Sequence, residues 1–245
     1  MRTIKLTLEY DGTAYCGWQR QVNGLSIQQV LEEALERILC EKVSVIASGR
    51  TDAGVHALSQ VASFRTHSAL AADKIFLGAN SVLPPDIVVK SAADAQPHFN
   101  ALKDARGKVY VYRIQNTRLR PVLGRMYVWH VRYPLSLDCM RGAVSHLLGE
   151  HDFSCFCATG CDIQDRVRTI GAIAIDERSG GLLEITVESG GFLRHMVRNI
   201  VGTLVDVGRG KISPEDLPEM LASRDRTKAG TAAPACGLFL KEVKY

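Results

Sequence analysis

The chain has no uninterrupted apolar run of about 18 residues, so no membrane-spanning helix is expected. No leader segment is expected either: Met1-Arg2-Thr3-Ile4-Lys5-Leu6 passes straight into alternating apolar and polar residues, the pattern of a strand. A cytoplasmic location is the expectation. There is no disulfide framework. The seven cysteines, at positions 16, 40, 139, 155, 157, 161 and 236, are odd in number and irregular in spacing, as reduced thiols would be. His151, Cys155, Cys157 and Cys161 lie close in sequence but lack the paired C-x2-C arms of a structural zinc site, so no metal is expected. Gly202, Gly208 and Gly210 do not follow a strand and make no phosphate loop. Ser48, His56 and Asp52 lack the strained elbow of a hydrolase nucleophile.

Strong overall charge is absent as well. A net charge of +4 on 245 residues does not announce a polyanionic partner, but its distribution is uneven. Lys103, Arg106, Lys108, Arg113, Arg118, Arg120, Arg125 and Arg132 share one stretch with Asp104 as the sole acid. Arg194, His195, Arg198, Arg209 and Lys211 form a second, opposed by Asp206. Two such stretches suit a nucleic-acid footprint, and equally a solvated face. The remaining composition, 46% hydrophobic and 23% charged, is that of a globular protein with a real core.

The apolar pattern predicts a regular order. Residues 3–10 alternate as a strand, and Ser26 is placed to cap a helix, with Gln29 completing a capping box. Ile27, Val30, Leu31, Ala34, Leu35, Ile38 and Leu39 share that helix's apolar face. Strands over 43–47 and 55–64, a helix over 72–82 ended by Pro84-Pro85, and a strand over 87–91 follow. The second half gives strands over 108–115 and 125–133 and a helix after Ser136. A hairpin of 169–177 with 182–189, a helix over 192–207, a short helix from Ser213-Pro214 and a strand over 237–243 complete it. Two β-α-β-β-α-β-like halves, 1–105 and 106–245, imply an α+β fold of two ferredoxin-like units sharing a mostly antiparallel sheet.

Gly49-Arg50-Thr51-Asp52-Ala53-Gly54-Val55-His56-Ala57 joins two predicted strands, where loops display functional side chains. Spacing alone allows a plain tight turn in which Asp52 bonds its own backbone. The run GRTDAGVHA resembles the active-site motif of the tRNA pseudouridine synthase A family. Other segments match that family in the same order: the Tyr10–Gln19 opening, His98-Phe99-Asn100-Ala101, the Lys108–Ile114 strand with its K-x-Y-x-Y pattern, and Gly191–Asn199. Together they span nearly the whole chain.

The resemblance implies a pseudouridine synthase fold with the active site in a cleft between the halves, no cofactor, and a homodimer acting on tRNA. Uridines at positions 38, 39 and 40 of the anticodon stem-loop are the implied substrates. Asp52 is the implied nucleophile, adding at the ribose or acting as a base at its 2′ carbon. Arg198 is the implied partner that keeps Asp52 ionised, with Arg194 in reserve. Tyr110 is expected against the target base, stacking on uracil or helping to move the C5 proton, although a Tyr110/Tyr112 pair is also ordinary sheet packing. Arg50 is expected at phosphate or in the space left by the everted base. A non-catalytic RNA-binding module on the same sheet, and an enzyme of this fold acting on another RNA, are the rival readings.

Overall fold

The computed structural model describes residues 1–160 and 163–245. They form a mixed α+β protein of ten strands, paired mostly antiparallel, and five α-helices. Contacts gather the chain into two compact units, Met1–Arg106 with Phe239–Tyr245, and Gly107–Leu238. The last strand groups with the first half, whereas the sequence reading placed all of residues 106–245 in the second.

In the first unit, β1 (Arg2–Tyr10), α1 (Ile27–Leu39), β2 (Ile46–Ala47), β3 (His56–Thr66), α2 (Ala72–Val82) and β4 (Ile87–Ala95) follow the expected order. Strand order is β4-β1-β3, with β2 antiparallel on β3 and the final strand, β10 (Leu238–Lys244), parallel beside β3. Period two decides the burial of β1: Ile4, Leu6, Leu8 and Tyr10 face the core. Lys5 points to the other face, its ammonium 4.3 Å from the Tyr245 ring centroid and 5.3 Å from that of Phe99.

Helix α1 buries Ile27, Leu31, Ala34, Leu35 and Leu39, and its cap is half of the expected box. Ser26 Oγ accepts from Gln29 N at 3.2 Å, but the Gln29 side chain donates to Glu33 at 3.0 Å instead of returning to the cap. Strand β2 keeps two residues of the expected five, and β4 runs four residues beyond Ser91.

The second unit contains β5 (Gly107–Gln115), β6 (Trp129–His130), α3 (Leu137–Val144), β7 (Gly149–Asp152), β8 (Val167–Arg178), β9 (Leu182–Ser189), α4 (Met196–Gly208) and α5 (Leu217–Ser223). Its strand order is β5-β9-β8-β7, with β6 parallel on β5. The strand expected over 125–133 is instead a 3-10 turn at Arg125–Tyr127 followed by the two-residue β6. Strand β7, whose Gly-Glu-His-Asp sequence has no apolar alternation, was not anticipated.

Helix α4 starts four residues later than its apolar periodicity suggests, because His195 takes a left-handed φ of 61° and interrupts helical geometry. Nearly all of α4 is buried, and one face is shaped for backbone contact. Gly202 lies where an added Cβ would stand 1.6 Å from the Thr231 carbonyl oxygen. The segment passing there is tied to α4 by Gly230 N donating to Thr203 Oγ1 at 2.9 Å and Ala233 N donating to Arg198 O at 3.0 Å.

A Gly202→Ala substitution must therefore displace backbone, at a cost of about 1–3 kcal/mol typical of overpacking. Urea unfolding is expected to show a lower midpoint with an unchanged slope. An unchanged midpoint would mean that the 230–233 segment yields freely.

Candidate active site

The Asp52 loop rests on a buried polar network. Strand β3 carries Gln60 beside Ala62 and Phe64 on one buried face, and the Gln60 amide is fully buried. An amide there must find partners or cost about 1–3 kcal/mol for each group left unmet. Gln60 Nε2 donates to Gly49 O at 2.9 Å and to Tyr10 Oη at 3.4 Å, and its Oε1 accepts from Ser48 Oγ at 2.6 Å. With the Tyr10 oxygen accepting from Gln60, its own proton points to Thr51 Oγ1, 2.8 Å away. Burial is the main cause that pushes the Tyr10 phenol up to about 12, so it stays a neutral donor. Ser48, Gly49 and Thr51 are thereby pinned from below, on both sides of Arg50.

A second loop, residues 11–18, clasps the first from the side. Trp18 N donates to Thr51 O at 3.0 Å, and Val55 N closes a turn on Asp52 O at 3.1 Å, with Gly54 at φ 76°. Gly17, at φ 93°, lies so close that a Cβ would stand 2.6 Å from Thr51 O. At Gly12 it would stand 2.0 Å from Val55 O. His56 Nδ1 is 3.1 Å from Gly12 N and 3.0 Å from the Asp11 carboxylate, so it is tethered to this loop whichever it bonds, and its ring stacks on Phe239 at 4.7 Å. The turn suggested by spacing exists, and it leaves Asp52 half-buried while Arg50 is exposed. Tyr10 and Trp18 hold the loop in place. A glutamine within an apolar strand run was the signal that could have found this network.

Arg50 and Asp52 belong to the first unit, Tyr110 and Arg198 to the second. Tyr110 sits on β5 opposite Val187 of β9, and Phe192 meets its ring edge-on at 5.2 Å. Tyr110 and Tyr112 share one strand face but differ in use. The Tyr112 hydroxyl donates to Pro234 O at 2.7 Å, and Gly237 leaves no room for a Cβ against its ring. Burial and then the Cys236 thiol push the Tyr112 phenol up, with the Arg198 charge acting against them. Tyr112 is thus a packing residue, its ring also met edge-on by Trp129 at 6.3 Å.

Arg198 lies in the first turn of α4, half-buried, with Nε donating to Ala233 O at 2.8 Å. That tether makes it a positioned cation rather than a solvated helix charge. Arg194 does not lie one turn earlier on the same helix, since α4 begins at Met196; it is exposed in the preceding segment. Of the first basic stretch, Arg113 is engaged in an ion pair with Glu184 at 3.1 Å.

Among the described residues, no three His, Cys, Asp or Glu side chains converge as a metal site would require. His151 Nε2 lies 2.8 Å from Leu148 O, and burial pushes the Cys155 thiol up to about 12, away from the thiolate that zinc binds. Cys161 lies outside the described residues. No helix among them is long and apolar enough to cross a membrane.

A family model described as tRNA pseudouridine synthase matches residues 7–102 and 143–245. Those segments contain the Asp52 loop and Arg198, while Tyr110 falls between them. The tRNA pseudouridine synthase A of Pelobacter propionicus is 52% identical over 245 residues, covering all of both chains. That of Myxococcus xanthus is 49% identical over 245 residues, covering all of this chain and 92% of the other. Among solved structures, a chain of a Cbf5-Nop10-Gar1 complex is similar at 15% identity and a TM-score of 0.39, covering 97% of this chain and 48% of that one. That likeness is too distant to add to the full-length matches. The family model and the end-to-end similarity agree: the chain belongs to the tRNA pseudouridine synthase A family.

Proposed function

We propose that this chain isomerises uridine to pseudouridine in tRNA, at positions 38, 39 and 40 of the anticodon stem-loop, with Asp52 as the nucleophile. The observation that carries the reading is the Asp52 loop itself. A buried network and two close-packed glycines hold its backbone, yet Asp52 is left half-buried in the loop that leads into β3. A cofactor-free isomerisation suits such a site. The bond from ribose C1′ to uracil N1 breaks, a bond from C1′ to C5 forms, the C5 proton leaves and N1 takes one up, so no group is gained or lost overall. Asp52 adds at C1′ as uracil departs and is released when C5 attacks.

Each remaining residue has a role in this scheme. Arg198, held by Ala233, supplies positive charge that favours the ionised carboxylate. Tyr110 offers a ring for uracil to stack on and a hydroxyl for the C5 proton, with Phe192 fixing its tilt. Arg50, exposed beside Asp52, meets phosphate or the gap left by the flipped base. Activity at three neighbouring positions requires a hold on tRNA that lets the stem-loop shift. The family resemblance supports a cytoplasmic homodimer as the working form.

Incubation with tRNA tritiated at uridine C5 is expected to release tritium with wild-type protein, and at least about 10³-fold more slowly with Asp52→Ala. Equal release by both would exclude Asp52. No release by wild type on tRNA that it binds would favour the binding-module reading. Tyr110→Phe is expected to lower turnover about 10²-fold with little change in KM, as loss of a proton-transfer group does. Unchanged turnover would restrict Tyr110 to stacking. Pseudouridine mapped separately at the three positions should rise at all of them; a response at one alone would refute the loose hold.

A further inference from the structure

The two basic stretches meet at a tyrosine that the proposed chemistry does not use. Tyr133 lies in the loop between β6 and α3, with 43% of its surface exposed. The guanidinium carbon of Arg132 is 4.7 Å from its ring centroid and that of Arg209 is 4.6 Å away. Arg132 Nη2 also donates to the Tyr133 hydroxyl. Lys211 adds a third positive charge nearby, and together these groups lower the phenol's pKa, the Arg132 hydrogen bond most of all. The acid facing the cluster is Asp206. It is buried, with Lys211 Nζ at 2.9 Å, Arg209 Nη1 at 3.9 Å and Thr231 N donating at 3.4 Å. Three cations against one carboxylate leave a local excess of positive charge.

A bland account covers part of this. Arg209 and Lys211 follow the C-terminus of α4, where cations complement the exposed carbonyls of a helix end. It does not cover Arg132, which comes from a different segment and lies exposed on the same exposed ring. Nor does it explain why guanidinium groups that repel one another are gathered at one phenol. Guanidinium groups near an aromatic face, with a hydroxyl between them, are the chemistry that grips a sugar-phosphate backbone.

We infer that Arg132, Tyr133 and Arg209, with Lys211, form a docking patch for the phosphate-ribose backbone of the tRNA substrate. The patch positions RNA and reads no base. This assignment rests on the tRNA reading above and adds to it a contact made through α4's C-terminal end. The same helix carries Arg198 in its first turn, so one element sets the spacing between the patch and that arginine.

The test is a paired measurement on purified protein with a tRNA transcript: tritium release for kcat and KM, and filter binding across a salt series. The double variant Arg132→Gln/Arg209→Gln is expected to raise KM about tenfold, leave kcat unchanged, and flatten the plot of log affinity against log salt by about one to two. Arg132→Lys/Arg209→Lys keeps the charge but loses the planar stack, and is expected to retain the salt slope while weakening binding less. Unchanged KM and slope in the double Gln variant would overturn the patch, as would a fall in kcat alone. Absence of tritium release by wild type would reject the isomerase reading while the binding arm still decides the patch. Failure of wild type to bind tRNA would reject both.

Discussion

Gln60 is a fully buried amide in the middle of β3, and the arrangement of the candidate active loop follows from satisfying it. Its donors reach Gly49 and Tyr10 and its acceptor takes Ser48; Tyr10 then passes its proton toward Thr51. In a low-dielectric setting such a chain has few alternative arrangements, because every rearrangement leaves a polar atom unmet. The carboxylate between Thr51 and Ala53 is therefore presented by a rigid support while its own side chain is only half-buried. Rigidity below and access above are what the covalent step proposed for Asp52 demands.

The second unit supports its residues by different physics. Helix α4 is buried along nearly its whole length, and the chain at 230–233 lies directly on its backbone where Gly202 provides no side chain. That contact brings the Ala233 carbonyl to Arg198, which is thus oriented by main chain rather than by a network of side chains. Tyr110 is set by sheet register and by one aromatic edge.

Much of this was legible in the residues, for identifiable reasons. Strong local periodicity located β1, α1, α2 and β9, and Ser26 and Ser136 cap the helices expected to follow them. The Asp52 loop was found through its motif, with Gly54 adopting the positive φ that such a turn requires. What stayed hidden was non-local or defied pattern. The parallel placement of β10 beside β3 pairs Phe239 with His56, residues 183 positions apart in the chain, about which alternation is silent. The start of α4 was misplaced because Phe192 and Leu193 continue the apolar period through a left-handed residue. The pairing of Gln60 with Tyr10 escaped because Tyr10 reads equally well as a core aromatic.

The approach of Gly12 and Gly17 to the Asp52 loop is a moulded fit of backbone on backbone, with no side chain to absorb a mismatch. Two such loops are inherited as a single part. A designer who transplanted the nine residues from Gly49 to Ala57 into another strand junction would carry over the letters of the motif but not its shape. That shape resides as much in residues 11–18 as in the motif itself.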